Sequence, residues 1–172
     1  MRRFAPLALL VACTGAAEPS LQRPSPELRP ELFFAGETRG EGKLEIALRR
    51  DRTLTVESRG TPVGPGALRI DQVIRYGDGE VNRRSWTLTR ASDGGYTAVL
   101  TEAKGPVRVT QRGNAVNIRY RFGSPTVSMD QWLYLRPDGR TVDNRATVRL
   151  AGVAVAKLRE TITKEAGVAK AP

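Results

Sequence analysis

Ten stretches of this 172-residue chain alternate apolar with polar side chains, and that period of two is the constraint any fold must satisfy. In KLEIALRR (43–50), Leu44, Ile46 and Leu48 share one face while Lys43, Glu45 and Arg49 share the other, as successive side chains of an extended strand must. Comparable alternation runs through RTLTVES, ALRIDQVIRY, RRSWTLTR, GYTAVLTE, PVRVTQR, AVNIRYRF, VSMDQWLYLR, RTVDNRATVRL and VAVAKLRETI. Between these stand Gly77-Asp78-Gly79, Asp93-Gly94-Gly95, Gly113-Asn114 and Pro137-Asp138-Gly139, residues that tolerate positive φ or preset a turn. Strands joined at hairpin distance form an antiparallel meander.

So long a meander must close into a barrel or pair as a sandwich to manage its edges. Tight hairpin links favour the barrel, because sandwiches require longer Greek-key connections. The expected fold is therefore all-β, an antiparallel up-and-down barrel of about ten strands over residues 31–163. A short helical segment precedes it at Pro30–Gly36, with proline and acid at the start and glycine at the end. Residues 164–172 are expected to form a flexible tail.

The first residues carry a different message. Arg2 and Arg3 precede the apolar run from Leu7 to Val11, the anatomy of an export signal and far short of the roughly 18 residues of a membrane span. Leu10-Val11-Ala12-Cys13 resembles the bacterial lipobox. On that resemblance residues 1–12 are a lipoprotein signal peptide, and Cys13, the only cysteine, becomes a lipidated first residue that holds the protein to a membrane. Thr14 stands where an aspartate would resemble an inner-membrane retention signal, which points to the outer membrane, facing the periplasm. The alternative is an ordinary secretory signal cut near Ala16-Ala17. Residues 13–30 contain Pro19, Pro24, Pro26 and Pro30 and read as an extended tether, which at about 3.1 Å per residue would reach roughly 55 Å.

FFAG (33–36), YGDGE (76–80), RRSWTLTR (83–90), GNAVNIRY (113–120), DQWLYLRPDG (130–139) and DNRATV (143–148) together resemble a family of small bacterial envelope lipoproteins of unknown function. The resemblance covers about residues 31–163. It implies a lipocalin-like β-barrel and an envelope setting, and it implies no reaction.

Chemistry is narrowed by absences. The sequence has no histidine, and with Cys13 assigned to the anchor this removes Ser-His-Asp and Cys-His machinery and histidine or thiolate metal sites. Three charges share a strand face with apolar or aromatic neighbours: Arg84 with Trp86 and Leu88, Asp130 with Trp132 and Tyr134, and Glu160 with Leu158 and Ile162. If those faces point inward, the charges must pair, because an isolated buried charge costs several kcal/mol. The expectation is an interior network of Arg84 with Asp130, Glu160 or both. Gln131, Leu133 and Leu135 form a rival inward face on the strand that carries Asp130.

The function that follows is binding of an apolar or amphiphilic small molecule such as a lipid, with Arg84, Trp86, Asp130, Trp132, Tyr134 and Glu160 as candidate ligand-binding residues. An alternative is an interaction protein with a filled barrel, whose basic outer face, including Arg119 and Arg121, holds an anionic envelope component or a protein. A third is a hydrolase using Asp130 and Glu160 as acid and base. No cofactor, metal or nucleic acid is expected. The formal charge of +10 is spread along alternating strands, with no run dense enough for a dedicated patch. Asp78 and Glu80 read as turn residues more readily than as calcium ligands, and Phe33 and Phe34 as a plug for one barrel end. The anchor has a direct test: Cys13→Ala is expected to abolish incorporation of labelled fatty acid in a bacterial host, and undiminished labelling would reject the lipobox.

Overall fold

The computed structural model describes residues 18–165. Cys13, the signal segment at 1–12 and nearly all of the expected tail lie outside the described residues.

A single 3-10 turn at Pro19–Leu21 and the one-turn helix α1 at Pro30–Phe33 precede ten strands. These are β1 (Gly36–Ile46), β2 (Arg52–Gly64), β3 (Ala67–Tyr76), β4 (Val81–Arg90), β5 (Tyr96–Leu100), β6 (Val107–Arg112), β7 (Ala115–Arg121), β8 (Val127–Leu135), β9 (Thr141–Leu150) and β10 (Val153–Lys164). Each pairs with its neighbours in sequence, and β1 pairs with β10, so the sheet is a closed barrel. The expected all-β barrel with a helical prelude is thus borne out. β1 starts earlier than the alternation suggested. Leu48 leaves the inward face: it sits in the β1–β2 turn at φ 61°, fully exposed.

The odd-even rule assigns the interior. Leu54 and Val56, Leu68 and Ile70, Trp86 and Leu88, Val116, Ile118 and Tyr120, Leu133 and Leu135 are all buried and line the lumen at period two. One end is stoppered from within. Phe33 and Phe34, whose rings meet edge to face at 4.9 Å, pack with Leu28, Leu68, Ile70, Leu133 and Val142 in the main core. Each such side chain contributes about 1.5–3 kcal/mol on full burial. Gly60 of β2 is required here, because a Cβ on it would strike the Phe34 carbonyl.

The segment expected to stand free as a tether is instead laid on the barrel where it is described. From Glu18 to Leu28 it runs past the β6–β7 turn at the stoppered end. The Leu28 amide donates to the Gly113 carbonyl at 2.9 Å and the Asn114 amide to the Arg23 carbonyl at 2.9 Å. The Asn114 side chain completes the clasp. Its Oδ1 accepts from the Arg23 amide at 2.6 Å, and its Nδ2 donates to the carbonyls of Leu21 at 3.0 Å and Leu135 at 2.8 Å. Asn114→Ala leaves those groups without partners and is expected to cost about 2–3 kcal/mol. Urea denaturation should read that loss, and limited proteolysis should show new cleavage between residues 18 and 28; unchanged stability and cleavage would mean that the clasp holds nothing.

Candidate functional site

The lumen has three levels. Above the Phe33–Phe34 stopper lies a packed apolar layer with a residual void of about 50 Å3, too small for an organic ligand. At mid-height runs a belt of polar side chains. Above the belt the barrel is hollow, a cavity of about 730 Å3 opening between the β1–β2, β3–β4, β7–β8 and β9–β10 turns. Its walls are Leu54 and Val56 from β2, Ile74 from β3, Met129 from β8, Val148 from β9 and Leu158 from β10. That volume falls in the range of small-molecule sites, roughly 300–1,000 Å3.

The belt is built from two groups. On one side Arg84 donates through Nε to Gln72 Oε1 at 2.8 Å, and the same oxygen accepts from Trp86 Nε1 at 2.8 Å. Gln72 Nε2 in turn donates to Ser58 Oγ at 3.0 Å. The Arg84 Nη1 lies 3.3 Å from Glu102 Oε1, which also accepts from the Tyr120 hydroxyl at 3.0 Å. Burial pushes the Tyr120 phenol above its ordinary range, with the neighbouring Glu102 adding to the shift. On the other side Gln131 Nε2 donates to Asn144 Oδ1 at 3.1 Å, and Asn144 Nδ2 donates to Glu160 Oε2 at 2.7 Å. Gly40 and Gly42 of β1 make room for that carboxyl, since a Cβ on either would collide with Glu160.

Glu160 is almost wholly buried. Desolvation pushes its carboxyl above the usual carboxylate range, and the Asn144 hydrogen bond and the Arg84 charge pull only part of the way back. It is the expected inward charge, but its partner is an amide.

Of the sequence-derived candidates, the structure brings Arg84, Trp86 and Glu160 to the lumen and separates the other three from it. Inward positions on β8 are Met129, Gln131, Leu133 and Leu135, so the rival face prevails. Asp130 points outside, where it accepts from Asn117 Nδ2 at 2.7 Å and lies 3.3 Å from Arg119 Nε. Trp132 and Tyr134 stack on the outer wall, centroids 5.9 Å apart and planes 6° from parallel. The amino-terminal segment reaches Tyr134: the Glu18 amide donates to its hydroxyl at 2.9 Å, and Tyr134 is buried there. An interior pair of Arg84 with Asp130 is therefore ruled out, and Asp130 and Glu160 share no space in which to act as acid and base.

Glu102, the carboxylate that Arg84 does meet, escaped the sequence reading although it shares parity with buried Leu100 across from Arg84. It lies just past β5, where the alternation is short. Asp78 and Glu80 both accept from Arg52 Nη2, each at 2.7 Å. Among the described residues no group of three or more histidine, cysteine, aspartate or glutamate side chains is placed to hold a metal.

A closed antiparallel barrel, stoppered at one end and hollow at the other, is a lipocalin-like calyx. Within that class the chain belongs to the family described as protein of unknown function DUF3833, whose model matches residues 7–164, in accord with the resemblance read from the sequence. No curated protein matches it. Among solved structures it is similar to the S-type phycobiliprotein lyase CPES from Guillardia theta, at TM-score 0.59 and 9% identity, covering 80% of this chain and 91% of that one. It is also similar to Rv2717c from M. tuberculosis, at TM-score 0.56 and 18% identity over 80% and 98% of the two chains. A DUF3598-family protein of unknown function from Nostoc punctiforme matches at TM-score 0.58 and 15% identity, over 87% of this chain and 53% of that one. At such identities the likeness is one of fold.

The raised Glu160 pKa has a sign that can be checked. Between its ordinary range and its folded value, the native state holds a proton that the unfolded state has lost, so stability falls as pH rises through that interval. Glu160→Gln, which keeps an oxygen for Asn144, is expected to remove this slope. Melting temperatures of the two proteins measured from pH 4 upward should diverge in favour of the variant; parallel curves would mean that the carboxyl is ionised in the fold at no cost.

Proposed function

We propose that this protein is a lipoprotein of the bacterial envelope, anchored through Cys13 in the outer membrane and facing the periplasm, whose barrel binds one amphiphilic small molecule such as a lipid. The observation that carries the binding reading is the stacking of environments along the lumen: an apolar hollow of about 730 Å3 above a belt that presents Arg84 and the buried Glu160 carboxyl. A ligand with an apolar body and a polar end enters with that end leading. Its body displaces water from the walls of the hollow, gaining about 25 cal/mol per Å2 of apolar area buried. Its end group meets the Arg84 guanidinium, which forms charge-assisted hydrogen bonds to a carboxylate or phosphate.

The entrance supports the same reading. Leu48 is fully exposed, and Leu150 and Val153 are 48% and 68% exposed, which places an apolar lip on the two hairpin tips beside the mouth.

The binding test compares a long-chain carboxylic acid with the alcohol of equal chain length, both competing against a fluorescent fatty acid. Arg84→Met is expected to weaken the acid by about tenfold, the loss of one charge-assisted contact, and to leave the alcohol within about twofold. Failure of the wild-type protein to bind either compound would remove the calyx reading, and equal weakening of both would remove Arg84 from its role.

A further inference from the structure

The outer wall of β6–β9 carries a second candidate site, independent of the lumen. Charges on the outer face of β1–β3 are interleaved: Arg69 lies 3.1 Å from Asp71, Arg59 2.7 Å from Glu37, and Arg39 within 4 Å of both Glu41 and Glu57. In this quadrant the pattern breaks. Arg108 of β6 stands directly opposite Arg119 of β7, a like-charge cross-strand pair that disfavours the sheet. Arg121 stands opposite Ser128 of β8, and Ser128 opposite Arg149 of β9. Lys104 joins them from the β5–β6 link, its amide donating to the Arg121 carbonyl at 2.7 Å.

These five cations surround a cleft of about 740 Å3 with the short Ser128 side chain in its lining. Asp130 is the one carboxylate among the described residues that line it, and that group is already engaged by Asn117 and Arg119. Exposed Lys104, Arg108 and Arg121 therefore meet no second acid within the cleft, and positive charge is concentrated there and open to solvent. It is also arginine-rich, and the planar guanidinium matches phosphate oxygens in pairs where an ammonium offers a point charge.

We propose that this cleft binds a phosphate-bearing anion, held by Arg108, Arg119 and Arg121 with Lys104 at its edge. The cleft is far larger than one phosphate, so the ligand carries either several phosphates or one phosphate with an attached group. A lipid headgroup and a soluble phosphate compound both present that chemistry.

The experiment uses the full chain carrying Cys13→Ala, so that no acyl group contributes lipid affinity. It is titrated with inorganic pyrophosphate and, separately, with dihexanoyl phosphatidylglycerol below its micellar concentration, with 15N-detected shifts locating each ligand. Binding is expected to move amide signals on β6–β8, to weaken with added salt, and to fall about tenfold or more in Arg119→Gln/Arg121→Gln. Arg59→Gln/Arg69→Gln, on the interleaved part of the wall, should bind as the parent does. Tighter binding of the lipid assigns the headgroup as the source, and equal or tighter binding of pyrophosphate assigns a soluble phosphate. Silence of both probes overturns the proposal. So does equal loss in the two double variants, which would mean diffuse attraction, or lipid binding that survives Arg119→Gln/Arg121→Gln, which would place the lipid elsewhere.

Discussion

The seam between β1 and β10 is the interaction on which the rest depends, because it turns a ten-strand sheet with two open edges into a wall with an inside and an outside. Once the wall is closed, parity alone decides whether a side chain meets the lumen or the surface. The seam is also where the belt is hardest to build. Glu160 of β10 stands opposite Gly42 of β1, and its side chain occupies space that a residue with a Cβ at 40 or 42 would take. The glycines in TRGEGK are thus the counterpart of the buried carboxyl: closure of the barrel and retention of a polar group in its middle are one steric solution.

The architecture was largely legible in the sequence because period two and turn chemistry are local signals that agree with each other along the chain. The inward placement of Arg84, Trp86 and Glu160 followed from the same parity. The error on β8 has a physical cause. Both faces of that strand carry apolar or aromatic residues, since Leu133 and Leu135 face the core while Trp132 and Tyr134 stack on the other side, where the amino-terminal segment bonds to Tyr134. Composition cannot choose between two covered faces. The covering itself was hidden because prolines read as an extended spacer, whereas here an extended path is what lets Arg23, Leu21 and Leu28 run alongside the wall and bond to Gly113 and Asn114.

The basic cleft was illegible for a different reason. Lys104, Arg108, Arg119, Arg121 and Arg149 are scattered over some 45 positions of sequence, and only the register of four strands and one link collects them. A search for runs of like charge finds nothing, while pairing Arg108 with Arg119 and Ser128 with Arg149 reveals the group at once. Glu102 belongs to the same class of omission, a residue just past a short strand whose partner is settled by the neighbouring hairpin.

The stopper of Phe33 and Phe34 leaves the hollow above the belt with a single doorway. With one end sealed by the chain's own residues, whatever enters must back out through the doorway it came in by, so the molecule is a bucket and not a pipe. On the binding reading, exchange depends on that one mouth, and the polar end of an amphiphile, first in, is the last to leave.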